Sequence, residues 1–232
     1  GENIVGRWTE NKKQIIRDSR VESTKILVKR FSELKKPPKC FICASAIGYY
    51  GNKGSEELDE NSGPDTGFLP EICIDWEKEA NKSNDLGIRV VNLRIGVVLS
   101  SNGGALGKML TPFKLGLGGM VGDGKQYWSW VSIDDMSRII KFAAENNNIS
   151  GPLNAVSPNP VTNKEFTTIL ASVLKRPAIL NVPSFFIKLI FGEMGKHGIL
   201  SSTRVLPKKL LDNGYNFQHS NLKLALIDIL KK

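Results

Sequence analysis

An α/β fold built on a parallel sheet is what this sequence predicts, and three observations predict it. Cys40–Ala44 and Arg89–Leu99 are apolar runs, the second rich in β-branched residues, of the kind found in strands covered on both faces, and Leu153–Val156 is a shorter third. Helical patterns separate these runs at a spacing of roughly forty residues, which suits right-handed crossovers between parallel strands. Beyond Pro177 the alternation stops, and the tail from about Pro183 reads as helices alone, a smaller helical part packed on the sheet.

Taken in order, the chain opens without a strand from Gly1 to Glu10, and Asn11 to Leu34 then spaces Val21, Thr24, Val28 and Phe31 along one helical face. Lys36-Pro37-Pro38 ends that helix. After the first strand, Ser45, Gly48 and Gly51 let the backbone turn, and Ser45, Tyr49 and Tyr50 bring hydroxyls to the strand's carboxyl end, where open α/β sheets bind ligands. A polar loop leads to a helix marked by Leu69, Ile72, Trp76 and Ala80. Arg89–Leu99 follows as one strand, and a glycine-rich excursion, Asn102 to Gly124, holds a short helix at Met109–Leu115. Ser132 with Asp135 and Thr162 with Glu165 have the spacing of helix-starting capping boxes. The helices they open carry Met136, Ile139, Ile140 and Ala143 in one case and Phe166, Ile169, Leu170, Val173 and Leu174 in the other. Helices starting at Pro207 and Asn221 close the chain.

With 232 residues, 41% hydrophobic and 24% charged, the composition is that of a globular protein with a substantial core. The net charge of +9 admits an anionic partner, but the cations are scattered, and the densest group, Lys29-Arg30 with Lys35-Lys36, sits at a helix end where it complements the dipole. A solvated face is therefore favoured over a nucleic-acid patch. Cys40, Cys43 and Cys73 form an odd set without a zinc spacing, which indicates free thiols in a reducing, cytoplasmic setting. No apolar segment is long enough to span a bilayer, and no membrane partner is expected.

Several strings imitate catalytic motifs. Gly119 to Lys125 spells a phosphate-loop pattern, yet Gln126 stands where a magnesium-reaching Ser or Thr is needed and no strand leads in. Tyr49 and Lys53 have the Tyr-x-x-x-Lys spacing, which serves hydride chemistry on a helix; here a turn intervenes. His197 and His219 have no nucleophile beside them in sequence. What remains is a constellation at strand ends: Ser45 and Tyr50, then Ile95-Gly96-Val97, with Lys114, Gln126, Tyr127, Trp128 and Trp130 from the excursion. A cleft for a flat conjugated ligand under a basic group fits these residues, and a plain packing role competes for the two tryptophans.

The strings Gly1-Glu-Asn-Ile with Arg7-Trp-Thr, Ser19-Arg20, Ala44-Ser-Ala-Ile-Gly-Tyr-Tyr-Gly51, Trp76-Glu77, Leu93 to Leu99, Gly103 to Gly107, Thr111 to Gly119, Trp130-Val and Leu153-Asn-Ala resemble, in order and over the whole chain, the atypical extended short-chain dehydrogenase/reductases. Within them the likeness is to the "epimerase family protein" branch, labelled as nucleoside-diphosphate-sugar epimerase-like or cell-division-inhibitor-like. The resemblance implies a Rossmann-type domain over residues 1–182, with a substrate-side insertion near 100–124, a helical segment over 183–232, and NADP(H) as cofactor. It implies cofactor contacts at Gly1, Arg20, Ala44, Ser45, Ala46, Arg94, Ile95, Gly96 and Val97, catalytic hydroxyls at Ser45 and Tyr50, and substrate contacts at Lys114, Gln126 and Trp130.

Two departures from the family pattern qualify those expectations. The glycine-rich phosphate loop of the family belongs to strand–helix units upstream of Gly1, so the chain is expected to be partial, to bind no dinucleotide by itself if that is so, and to leave a sheet edge open at Cys40–Ala44. Leu69 and Cys73 occupy the places where extended members carry Tyr-x-x-x-Lys. Three functions follow as expectations: a reductase or epimerase-like enzyme for a small carbonyl or sugar nucleotide; a cofactor-binding regulator of cell or plastid division, in the plastid stroma if the source is a plant or alga; and, more weakly, nucleic-acid binding. A homodimer is compatible with each.

Overall fold

The computed structural model describes residues 1–231. Helix α1 (Glu10–Glu33) begins at Thr9, whose hydroxyl accepts from the Lys12 N–H, and buries Ile16, Val21, Thr24 and Val28. Strand β1 (Cys40–Ala46) runs into a 3-10 turn at Ile47–Tyr50; β2 (Glu57–Leu58), α2 (Phe68–Asn81), a second 3-10 turn at Lys82–Leu86 and β3 (Arg89–Ile95) follow. Then come β4 (Val97–Leu99), α3 (Gly104–Lys114), β5 (Tyr127–Trp128), β6 (Trp130–Ser132), α4 (Ile133–Glu145), β7 (Gly151–Ala155), β8 (Val161–Thr162) and α5 (Asn163–Leu174). The tail holds α6 (Ser184–Phe191), a π turn at Gly195–Ile199, β9 (Arg204–Val205), α7 (Lys208–Asp212) and α8 (Leu222–Lys231).

The central sheet is parallel, in the order β1-β3-β7. One row of its register reads Ser45, Arg94, Asn154 and the next Ala46, Ile95, Ala155. Side chains alternate across the sheet. Val91, Leu93, Ile95, Leu153 and Ala155 turn to the face covered by Met136, Ile139 and Ala143 of α4. Phe41, Cys43 and Val90 turn to the other, against Trp76 and Ala80 of α2. The capping at Thr162 is a full box, because Glu165 also accepts from the Thr162 N–H; at Ser132 the hydroxyl accepts from the Asp135 N–H, but the carboxylate turns to other donors.

Four expectations are corrected here. Arg89–Leu99 is two strands: at Gly96 the chain leaves the β1-β3-β7 sheet, and β4 pairs in parallel with β6. A Cβ at Gly96 would lie 2.5 Å from the Ser129 carbonyl oxygen and 2.7 Å from Val156 Cγ1, so the crossing needs glycine. Strand β1, expected to be covered on both faces, leaves Ala44 exposed, while its place at the end of the order β1-β3-β7 is the open edge expected of it. Helix α3 begins at Gly104, a turn earlier than the apolar spacing suggested. The tail is not purely helical, because β9 pairs in parallel with β2.

That pairing belongs to a wider attachment of the tail. Ser129 Oγ lies 2.8 Å from the Thr203 carbonyl and accepts from the Val205 N–H at 2.8 Å. Leu222, Ala225, Leu226 and Ile229 of α8 share a core cluster with Phe166 and Leu170 of α5.

Candidate functional site

Strands β1, β3 and β7 deliver their carboxyl ends to one rim, so Ser45, Arg94 and Asn154 stand side by side, with Gly96 one step beyond the row. Their side chains make a closed polar network beneath that rim. Ser45 Oγ donates to Glu77 Oε1 at 2.7 Å; Arg94 Nε and Nη2 donate to the two Glu77 oxygens at 2.9 Å each. Arg94 Nη1 donates to Tyr50 Oη at 3.0 Å, and Tyr50 donates to Asn154 Oδ1 at 2.8 Å. Asn154 Nδ2 reaches the Leu206 carbonyl of the tail, and Glu60 accepts from the Asn154 and Lys209 N–H groups. The Arg94 guanidinium also lies 3.5 Å from the centre of the Tyr49 ring.

The electrostatics follow from burial. Arg94 is 3% exposed. Burial opposes its charge, but bidentate bonding to Glu77, together with Tyr50, outweighs that and holds its pKa above the ordinary value. Tyr50 is fully buried, and desolvation pushes its hydroxyl up to about 12 against the pull of Arg94, so it is neutral at physiological pH. Burial likewise raises the Glu60 carboxyl. On α2, Leu69 Cβ lies 3.4 Å from the Cβ position of Gly48, and the Cys73 thiol points at the Ala46 carbonyl, 3.7 Å away. Desolvation pushes Cys73 up to about 11, so the side chains here are a hydrocarbon and a neutral thiol.

The structure therefore brings Ala44, Ser45, Ala46, Tyr50, Arg94, Ile95, Gly96 and Val97 together and sets Trp130 in register with Val97. Ser45, 3% exposed, and Tyr50, expected as hydroxyls facing substrate, are turned inward and occupied. Trp130, expected to face substrate, is fully buried and donates to the Asn159 carbonyl, and buried Gln126 donates to the Val121 carbonyl. Lys114 is exposed at the end of α3. Gly1 and Arg20 meet each other beside the middle of α1, where Arg20 donates to the Glu2 carbonyl and lies 5.5 Å from the Trp76 ring.

Two imitations are also resolved. Lys53 pairs with Asp65 rather than Tyr49. His219, without a nucleophile beside it in sequence, has one in space: Nδ1 is 2.9 Å from Ser132 Oγ and Nε2 3.1 Å from Asp228 Oδ2. Ser132 is fully buried and caps α4, so this triad-like row joins the tail to α4 rather than opening on a cleft. Among the described residues no group of His, Cys, Asp and Glu is arranged to hold a metal.

Asn154 stands with Ser45 and Gly96 at the common rim the sequence led to expect, whereas Glu77 and Glu60 went unassigned from sequence. Glu77 lies four residues after Cys73 and next to the Ile72, Trp76, Ala80 face, and a carboxylate on the inward side of a helix is the available signal.

Comparison with known proteins now bears on this rim. A family model described as "Domain of unknown function (DUF1731)" matches residues 182–229. "Epimerase family protein MT2273" of Mycobacterium tuberculosis is 41% identical over 227 residues, covering 97% of this chain and 75% of that protein. The chain belongs to the epimerase family proteins, within the atypical extended short-chain dehydrogenase/reductases. Among solved structures of this family, human epimerase family protein SDR39U1 (isoform 2), crystallised with NADPH, superposes with a TM-score of 0.94 at 35% identity, covering 100% of this chain and 80% of that one. A nucleoside-diphosphate sugar epimerase from Corynebacterium glutamicum gives a TM-score of 0.80 at 34% identity, covering 97% of this chain and 44% of that one. The chain shares the Rossmann-type fold of these relatives, and in it Ser45, Arg94 and Asn154 form one row across the carboxyl ends of β1, β3 and β7.

Proposed function

We propose that this epimerase family protein is an NADP(H)-binding oxidoreductase or nucleotide-sugar epimerase-like protein, acting on a small carbonyl or sugar-nucleotide compound in the cytoplasm, or in the plastid stroma of a plant or alga. The observation that carries the reading is the single rim of three parallel strands, where Ala44, Ala46 and Gly96 are small and Ile95 and Val97 apolar. Such residues at the carboxyl ends of parallel strands admit a flat ring close to the backbone. NADPH in the human relative supports the choice of cofactor. When bound, a nicotinamide supplies or accepts hydride.

The chain's own residues hold that rim in place. Glu77 and Arg94 fix Ser45 to Tyr50 and Asn154, and so lock the three strand ends in register before any ligand arrives. Ser45 and Tyr50 act here through position; in this arrangement neither delivers a proton to a substrate. The same burial favours a second reading, a catalytically weak NADP(H)-binding regulator of cell or plastid division.

Titration of the intact protein with NADPH and NADH, followed by tryptophan fluorescence, tests the common part. NADPH is expected to bind, and Ala46→Phe to weaken it at least about tenfold by filling the ring's place. Absence of binding, or indifference to Ala46→Phe, overturns the assignment of the rim. Turnover of a carbonyl or sugar-nucleotide panel then favours the enzyme, and a partner whose affinity changes with NADPH favours the regulator.

A further inference from the structure

We propose that the outer face of α6, with the two loop segments beside it, is a docking surface for an anionic lipid bilayer. On α6, Phe185, Phe186, Leu189 and Ile190 are 66%, 51%, 53% and 58% exposed, and Ile187 is the buried residue of the helix. At helical spacing those four share one arc of about 140°. Neighbouring backbone extends the surface. Arg176 Nε donates to the Lys114 carbonyl, the Leu180 N–H to Gly118 and the Val182 N–H to Met120, so residues 114–120 run beside 176–182, which lead directly into α6. From this pair project Leu115, Leu117, Ile179 and Leu180, 69%, 57%, 78% and 47% exposed. Large apolar side chains gathered in this way mark an interaction site, where scattered single ones would not.

Charge decides the kind of partner. Residues 104–122 and 175–192 contain Lys108, Lys114, Lys175, Arg176 and Lys188, all exposed, and no aspartate or glutamate. The acids just outside are Asp123, whose carboxylate accepts from the Lys125 N–H, and Glu193, paired with Lys13. A second copy meeting this face with its own would set cations against cations. An anionic bilayer answers both features, giving headgroup charge to the lysines and acyl-chain contact to the phenylalanines, leucines and isoleucines, as interfacial helices of this composition do. No helix among the described residues is long and apolar enough to cross a membrane, so attachment would be peripheral. The proposal departs from the expectation, drawn from the lack of a spanning segment, that no membrane is involved.

Co-sedimentation of the full chain with phosphatidylglycerol-rich and with pure phosphatidylcholine vesicles tests it. Retention is expected on the anionic vesicles alone and is expected to fall as salt is raised. Phe185→Ser with Ile190→Ser, and separately Lys114→Glu with Lys188→Glu, each weaken retention at least about tenfold. All four side chains are exposed, so circular dichroism and melting should remain those of the parent. No retention on anionic vesicles, or retention that neither pair of substitutions changes, overturns the proposal. So does a concentration-dependent dimer in sedimentation velocity that Phe185→Ser with Ile190→Ser abolishes, which assigns the face to a second copy.

Discussion

Replacing Glu77 by alanine removes the acceptor for three donors at once: the Ser45 hydroxyl at 2.7 Å and two Arg94 N–H groups at 2.9 Å. Arg94 is then left 3% exposed with Tyr50 as its one remaining side-chain hydrogen-bond partner. Breaking a buried ion pair from one side typically costs about 3–5 kcal/mol, because the surviving charge stays desolvated. For a chain of 232 residues that corresponds to a melting temperature lower by roughly 10 °C. Ser45→Ala removes one donor and leaves the ion pair, and should cost about 1–2 kcal/mol. The pair Glu77→Leu with Arg94→Met deletes both charges and should cost much less than the sum of its single changes. Urea denaturation of these three variants, and of Glu77→Leu and Arg94→Met alone, gives the comparison directly. Should Glu77→Ala cost less than about 1 kcal/mol, or the double change equal the sum, the network is not what holds the strand ends together.

Glu60 sets a pH dependence of known sign. Burial raises its folded pKa above the ordinary 4.5, so its contribution to stability is full below that value and is lost as pH rises through the raised one; Glu60→Gln should remove this component from a plot of urea midpoint against pH, and an unchanged plot would count against it. Gly96→Ala should destabilise by about 1–3 kcal/mol through the contact with the Ser129 backbone, read as a shift in urea midpoint. Cys43 and Cys73, pushed up to about 11 by burial, should react with a disulfide reagent at mildly alkaline pH far more slowly in the folded protein than in urea; equal rates would contradict their enclosure.

Much of this architecture was legible because strands in a parallel sheet are written as local apolar runs. Cys40–Ala46, Arg89–Ile95 and Gly151–Ala155 fall where such runs lie, and the helix starts at Ser132 and Thr162 follow from residues three apart. The break at Gly96 was not legible, since what forbids a side chain there is a carbonyl 33 residues away in sequence, on Ser129. The two-residue pairing of β2 with β9 has no local pattern to betray it. At the site, hydroxyls after a strand were taken to face a ligand. Alternation along β1 would have argued otherwise, because Ser45 shares a face with buried Cys43, while Ala44 and Ala46 share the opposite one. Trp130 and Gln126 were read as lining a cleft from residue type, and type alone does not tell a packed indole from an exposed one.

The attachment of the tail has a mechanical consequence. Severing the backbone at residue 182 would not free a detachable module, because Ser129 grips Thr203 and Val205, β2 loses its partner strand, and Asn154 loses the Leu206 carbonyl in the same stroke. The segment at residues 182–229 is thus a keystone: a family model matches it as a unit, yet the arch it closes includes the row of strand ends at which the proposed cofactor would lie.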